Sequence, residues 1–104
     1  MTAPLSVDFT RRAAAESEAA ILWWRENRPL APDALREELE QALQLIALQP
    51  EIGATAHNIK LAGVRRVLLS RVKYHLYCRT VEGPPRSIEV LSLWHTSRGA
   101  HPAV

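Results

Sequence analysis

His95 closes the run Ile88-Glu89-Val90-Leu91-Ser92-Leu93-Trp94-His95, and Arg65, Arg71 and Arg79 stand at the edges of the runs before it. An imidazole ordinarily titrates close enough to neutrality to shuttle a proton, for instance during RNA cleavage by a neighbouring 2′-hydroxyl. Arginine's planar fork pairs with phosphate or carboxylate oxygens, so the three arginines, if they converge on one sheet face, would hold a phosphate. Each residue also has a plainer reading. His95 at a strand end serves as a local hydrogen-bonding group, and the arginines are solvated edge charges or partners for carboxylates of another chain. The histidines His57, His75, His95 and His101 and the single Cys78 show no compact ligand spacing, so no metal and no cofactor is expected. No glycine-rich phosphate loop and no nucleophile elbow occurs, and Cys78 reads as a small core residue.

Three short β-type runs hold these side chains: Val64 to Leu69, Lys73 to Thr80, and Ser87 to His95, with a turn at Gly83-Pro84-Pro85 before the last. Ahead of them lie two helical patterns. Leu5 to Phe9 alternates like a strand, Thr10 stands at an N-cap position, and a helix is expected from about Arg11 to Asn27. Its stripe is Ala13, Ser17, Ala20 and Trp24; Trp23, turned about 100° away, sits at the stripe's edge as a candidate for a partner groove. After a break at Arg28 to Ala31, Pro32 suits a first helical turn and Asp33 the positive helix end. The second stripe is Leu35, Leu39, Ala42 and Ile46, closed by Pro50.

The expectation is an α+β domain of order β-α-α-β-β-β. A helical hairpin packs on one face of a four-stranded, mostly antiparallel sheet, in one domain over 1–104 with an ordered core of about 5–98 and a loose tail from Gly99. By strict alternation Ile88, Val90 and Trp94 share one face of the last strand, and Leu91, Leu93 and His95 share the other. Two helices cover one face, so the second keeps apolar surface, with Leu91 and Leu93 as candidate partner contacts.

Charge is divided along the chain. Residues 1–59 carry 5 Lys/Arg against 9 Asp/Glu, and residues 60–104 carry 8 against 2, so the net +2 conceals halves of about −4 and +6. A basic sheet half suits a polyanion or an acidic partner chain. One cysteine, no signal-peptide pattern and no apolar run long enough for a bilayer point to the cytoplasm, with no membrane partner.

The ordered set Asn27-Arg28-Pro29, Pro50-Glu51-Ile52-Gly53, Gly63-Val64-Arg65, Arg71 to Tyr77 and Val90 to His95 resembles the RelE/ParE superfamily. These are the small toxins of bacterial type II toxin–antitoxin systems, often called plasmid stabilisation proteins. The similarity runs from about Val7 to Arg98. It implies the β-α-α-β-β-β fold and a cognate antitoxin that wraps the toxin in a hetero-oligomer. The partner-binding candidates read from the residues are Arg65, Arg71, Arg79, Leu91, Leu93 and Trp23. The ending Trp94-His95-Thr96-Ser97-Arg98-Gly99 and the long helical hairpin resemble the ParE side, associated with poisoning DNA gyrase. The RelE side, which cuts mRNA on the ribosome, often places a tyrosine or histidine near the C-terminus; here no tyrosine follows Tyr77. The alternative enzyme would use His95 as acid or base and Arg65, Arg71 and Arg79 on the scissile phosphate. A degenerate toxin that only binds antitoxin is a third reading.

Overall fold

The computed structural model describes residues 3–57 and 59–104. The first strand, β1, spans Ser6–Phe9, and helix α1 spans Arg11–Asn27. Thr10 caps α1 as its position suggested: extended backbone lets its Oγ1 accept the Ala13 N–H at 3.1 Å, satisfying a donor with no partner inside the helix. The buried side chains of α1 are small, Ala13, Ser17 and Ala20, so the helix axis sits close to the sheet. The break after Asn27 is pinned by the Trp24 indole, which donates from Nε1 to the Ala31 carbonyl at 2.8 Å.

Helix α2 spans Ala34–Leu48 and buries Leu35, Leu39 and Ile46. Pro32, expected in the first helical turn, lies in the turn before it, and Asp33 stands at the N-cap by the positive helix end, without a side-chain capping bond. The Asp33 carboxylate pairs with Arg25 of α1 at 3.2 Å and Arg36 at 3.8 Å, tying the two helices together.

The sheet has five strands, not four, in the order β1-β5-β4-β3-β2. The added strand is β2, Ala54–Thr55, antiparallel to β3, Arg65–Leu69. Strands β3, β4 (Tyr74–Val81) and β5 (Ser87–His95) form an antiparallel meander, whereas β1 pairs with β5 in parallel. The sheet is therefore mixed, with β5 between β1 and β4, which is why β5 is apolar on both sides. Leu35, Ile46, Leu76, Ile88 and Val90 are fully buried between helices and sheet. Each such side chain contributes roughly 1.5–3 kcal/mol.

A β-bulge overturns the expected faces of β5. Val90 pairs with Cys78 and Ser92 with Tyr77, so Leu91 is an extra residue on its strand. An inserted residue reverses the alternation beyond it. Leu93 consequently joins Ile88 and Val90 in the helix-side core, and Trp94 joins Leu91 on the second face. That second face is not left open. Val64, Tyr77 and Leu91 are buried there beneath Ile59, Leu61 and Val104.

The C-terminal residues expected to be loose lie against this face. The Trp94 indole donates to the Ala100 carbonyl at 2.7 Å, Arg12 donates to the Ala103 carbonyl at 2.9 Å, and Pro102 is fully buried. Among the described residues no helix is long and apolar enough to cross a membrane.

Candidate functional site

The three singled-out arginines do not converge. Arg65 donates from Nη2 to the Gly53 carbonyl at 2.8 Å and from Nε to the Ile52 carbonyl at 3.3 Å, stapling the segment before β2 onto β3. The staple depends on glycine. Gly53 has φ +87°, and a Cβ there would lie 2.5 Å from the Arg66 carbonyl oxygen. Arg65 pairs across the sheet with Cys78, so Arg79, one residue on, belongs to the opposite face, where it meets its cross-strand partner Glu89 at 3.0 Å. Arg71 sits in the β3–β4 connection, its N–H bonded to Glu38 at 3.1 Å and its guanidinium 3.7 Å from Glu37. A single phosphate cannot reach all three. Leu91 and Leu93, expected as neighbouring partner contacts, are both buried and on opposite faces.

What does come together is an open groove of about 540 Å³ at the end of the sheet, where α1 ends above the β3–β4 turn. It is lined by Trp23, Trp24 and Arg28 from the end of α1, by the turn residues Arg71, Val72 and Lys73, and by Tyr74, His95 and Ser97. Trp23 is 46% exposed, as its edge position on α1 required, and Trp24 packs against the core. The Arg28 guanidinium stacks 5.0 Å from the Trp23 ring and 5.6 Å from that of Trp24, a cation–π arrangement that holds both indoles. Lys73 has φ +64°, a left-handed conformation uncommon outside glycine, which lets the chain turn tightly beside the groove.

His95 is committed to local structure. Its Nδ1 accepts the Ser97 N–H at 3.0 Å and lies 2.7 Å from Ser97 Oγ, capping the short 3₁₀ turn Thr96–Arg98. Its ring meets Tyr74, its cross-strand partner, edge to face at 4.9 Å. Burial pushes the Tyr74 phenol above its ordinary pKa, against the opposing pull of Arg98, so the hydroxyl stays protonated near neutrality. The groove thus presents indoles, a phenol and cations, with no carboxylate lining it among the described residues. Tryptophan, tyrosine and arginine are the side chains that most often anchor protein interfaces.

Two comparisons bear on what such a groove serves. The family model described as ParE toxin of type II toxin-antitoxin system, parDE, matches residues 7–99. The chain belongs to the ParE toxin family. A solved structure described as the chromosomal ParDE TA system from P. aeruginosa is similar to this ParE-family toxin at 27% identity and a TM-score of 0.67. The match covers 89% of this chain and 97% of that one. A search of the curated proteins finds no match.

Sequence reasoning missed several side chains of the ParE-family toxin. Beyond Phe9 the β1 side of β5 has no strand, and Glu16 of α1 fills the gap: its carboxylate accepts the Ser92 hydroxyl at 2.8 Å and the Leu93 N–H at 3.2 Å. Arg12 pairs with the same carboxylate at 3.4 Å. Glu16 is one turn beyond a cap and looks like any surface glutamate, so no local signal marked it. His57, His75 and His101, which show no common spacing in the sequence, line a cavity with His95. Cys78 is buried, and burial pushes its thiol up to about 11, so it stays protonated near neutrality as a small core side chain.

Proposed function

We propose that this ParE-family toxin inhibits DNA gyrase by binding it, without chemistry of its own, and that a cognate antitoxin neutralises it by folding an acidic, amphipathic segment onto it. The observation that carries this reading is the groove of Trp23, Trp24, Arg28, Lys73 and Tyr74, whose residue types suit docking on a protein surface. An RNA-cutting site needs a proton acceptor, a proton donor and charge stabilisation around one phosphate. The arginines assigned to that role lie apart, and the Nδ1 atom of His95 is held by Ser97.

The test adds purified toxin to gyrase with relaxed plasmid and, separately, to translating ribosomes. Supercoiling falls in the first assay and mRNA stays intact in the second. Defined cuts in the ribosomal A site that vanish in His95→Ala would replace this reading with the nuclease. Antitoxin association is steered by the basic half, so Arg71→Glu slows the on-rate and flattens its salt dependence. Kinetics unchanged by that substitution and by ionic strength would move the antitoxin elsewhere.

A further inference from the structure

All four histidines of the chain, scattered over residues 57–101, line one cavity of about 360 Å³ on the second face of the sheet. Arg66 of β3, His75 of β4, His95 at the end of β5, His57 from the segment before β3 and His101 from the tail reach it from five separate places in the chain. We infer that this cavity is a phosphate-binding site, taking a nucleotide phosphate or the backbone of a nucleic-acid strand. The inference goes beyond the gyrase reading and does not depend on it.

Three observations carry it. First, among the described residues no carboxylate lines the cavity, although 11 Asp/Glu are present in the chain. Second, Arg66 is the exception among its neighbours. Arg65, Arg71 and Arg79 bond to carbonyls or carboxylates, whereas Arg66 makes no ion pair or side-chain hydrogen bond among the described residues. Third, the β-sheet fixes the arrangement. Arg66 is the cross-strand partner of Tyr77 and His75 that of Trp94, so Arg66, His75 and the two aromatic rings share one face, with His75 edge-on to Tyr77 at 6.2 Å.

The His75 imidazole is held below its ordinary pKa by burial first and by the Arg66 charge second. An anion between Arg66 and the imidazoles offsets the second of these. A guanidinium fork and several imidazole N–H groups approaching from different directions match a tetrahedral phosphate, which offers acceptors on all sides, better than a planar carboxylate.

Fluorescence anisotropy of fluorescein-labelled oligothymidylate with the full chain tests the inference. Binding tightens as the pH falls from about 8 to about 6, because protonated imidazoles favour the anion; phosphodiesters keep their charge over this range, so the change belongs to the protein. The charged and titratable groups sharing the cavity with His75 are Arg66, Tyr77, His57, His95 and His101, with Arg98 over the Trp94 ring at its rim. Arg66→Gln weakens binding about tenfold or more, the loss expected for a charge-assisted contact, and His75→Gln reduces the pH dependence. Arg86→Gln, far along the chain and paired with Glu82 and Glu51, leaves both unchanged. Adenosine monophosphate that displaces the oligonucleotide identifies a nucleotide site; displacement only by further oligonucleotide identifies the strand backbone. No binding, binding indifferent to pH, or equal losses in Arg66→Gln and Arg86→Gln would overturn the inference. Gyrase inhibition by the same preparations, scored separately, distinguishes this failure from failure of the gyrase reading.

Discussion

The two faces of the sheet are built by different rules. On the helix side, aliphatic side chains from α1, α2 and every strand from β3 to β5 form one continuous core, with Leu35, Leu76 and Val90 wholly excluded from water. The second face has a small buried apolar cluster of Val64, Tyr77 and Leu91, closed over by loop and tail, and beside it stand Arg66 and histidines. One face supplies the burial that a chain of this size needs, which leaves the other and the sheet's end free to carry rings and charges. On the proposed readings, stability and function are thus largely separated in space, and that separation can be attacked from either side.

The largest effect is expected on the helix side. Leu39→Ala or Ile46→Ala costs about 2–5 kcal/mol of unfolding free energy in denaturant titration, since both are buried against several elements. Leu91→Ala costs less, because the loop and tail above it can settle into the space. Equal losses at Leu39 and Leu91 would break the contrast between the faces.

A smaller effect sharpens where the helix core ends. Glu16→Ala leaves the fully buried Ser92 hydroxyl and the Leu93 N–H without their acceptor and costs about 1–3 kcal/mol, while Glu16→Gln, which keeps an acceptor oxygen, recovers much of it. Should both variants unfold like the wild type, the open edge of β5 is satisfied some other way.

The smallest effect belongs to the second face. Because the folded pKa of His75 is lowered, its contribution is complete above the unfolded value of about 6.5 and is lost as pH falls through the folded value. Thermal unfolding followed between about pH 7.5 and pH 5 therefore shows a slight decline that His75→Gln flattens. A variant with the wild-type slope would assign the decline to other groups.

Much of this was legible before the structure. Thr10 as cap, α1 over Arg11–Asn27 and β5 over Ser87–His95 follow from capping chemistry and periodicity, which are local. The misreadings share a cause, namely that each was decided by contacts distant in sequence. Leu91 is bulged because β4 pairs with β5 in two registers, which no window around Leu91 reveals. Ala54–Thr55 is a strand only because Arg65 and Arg66 lie beside it, and the histidines meet only once the meander and tail are folded. For the groove, Trp23 was legible from its place on the helix stripe, whereas Arg28 and Lys73 depended on how the helix end meets the β3–β4 turn.

Gyrase supercoiling measured with the wild-type toxin and with Trp23→Ala tests the proposed docking most directly. Trp23 is exposed at the groove and outside the core, so its loss leaves the thermal midpoint nearly unchanged. On this account the wild type suppresses supercoiling, and Trp23→Ala needs at least about tenfold more protein for the same effect, as for an interface anchor. Equal inhibition by the two proteins would contradict docking through the groove, and no inhibition by the wild type would contradict gyrase as the target.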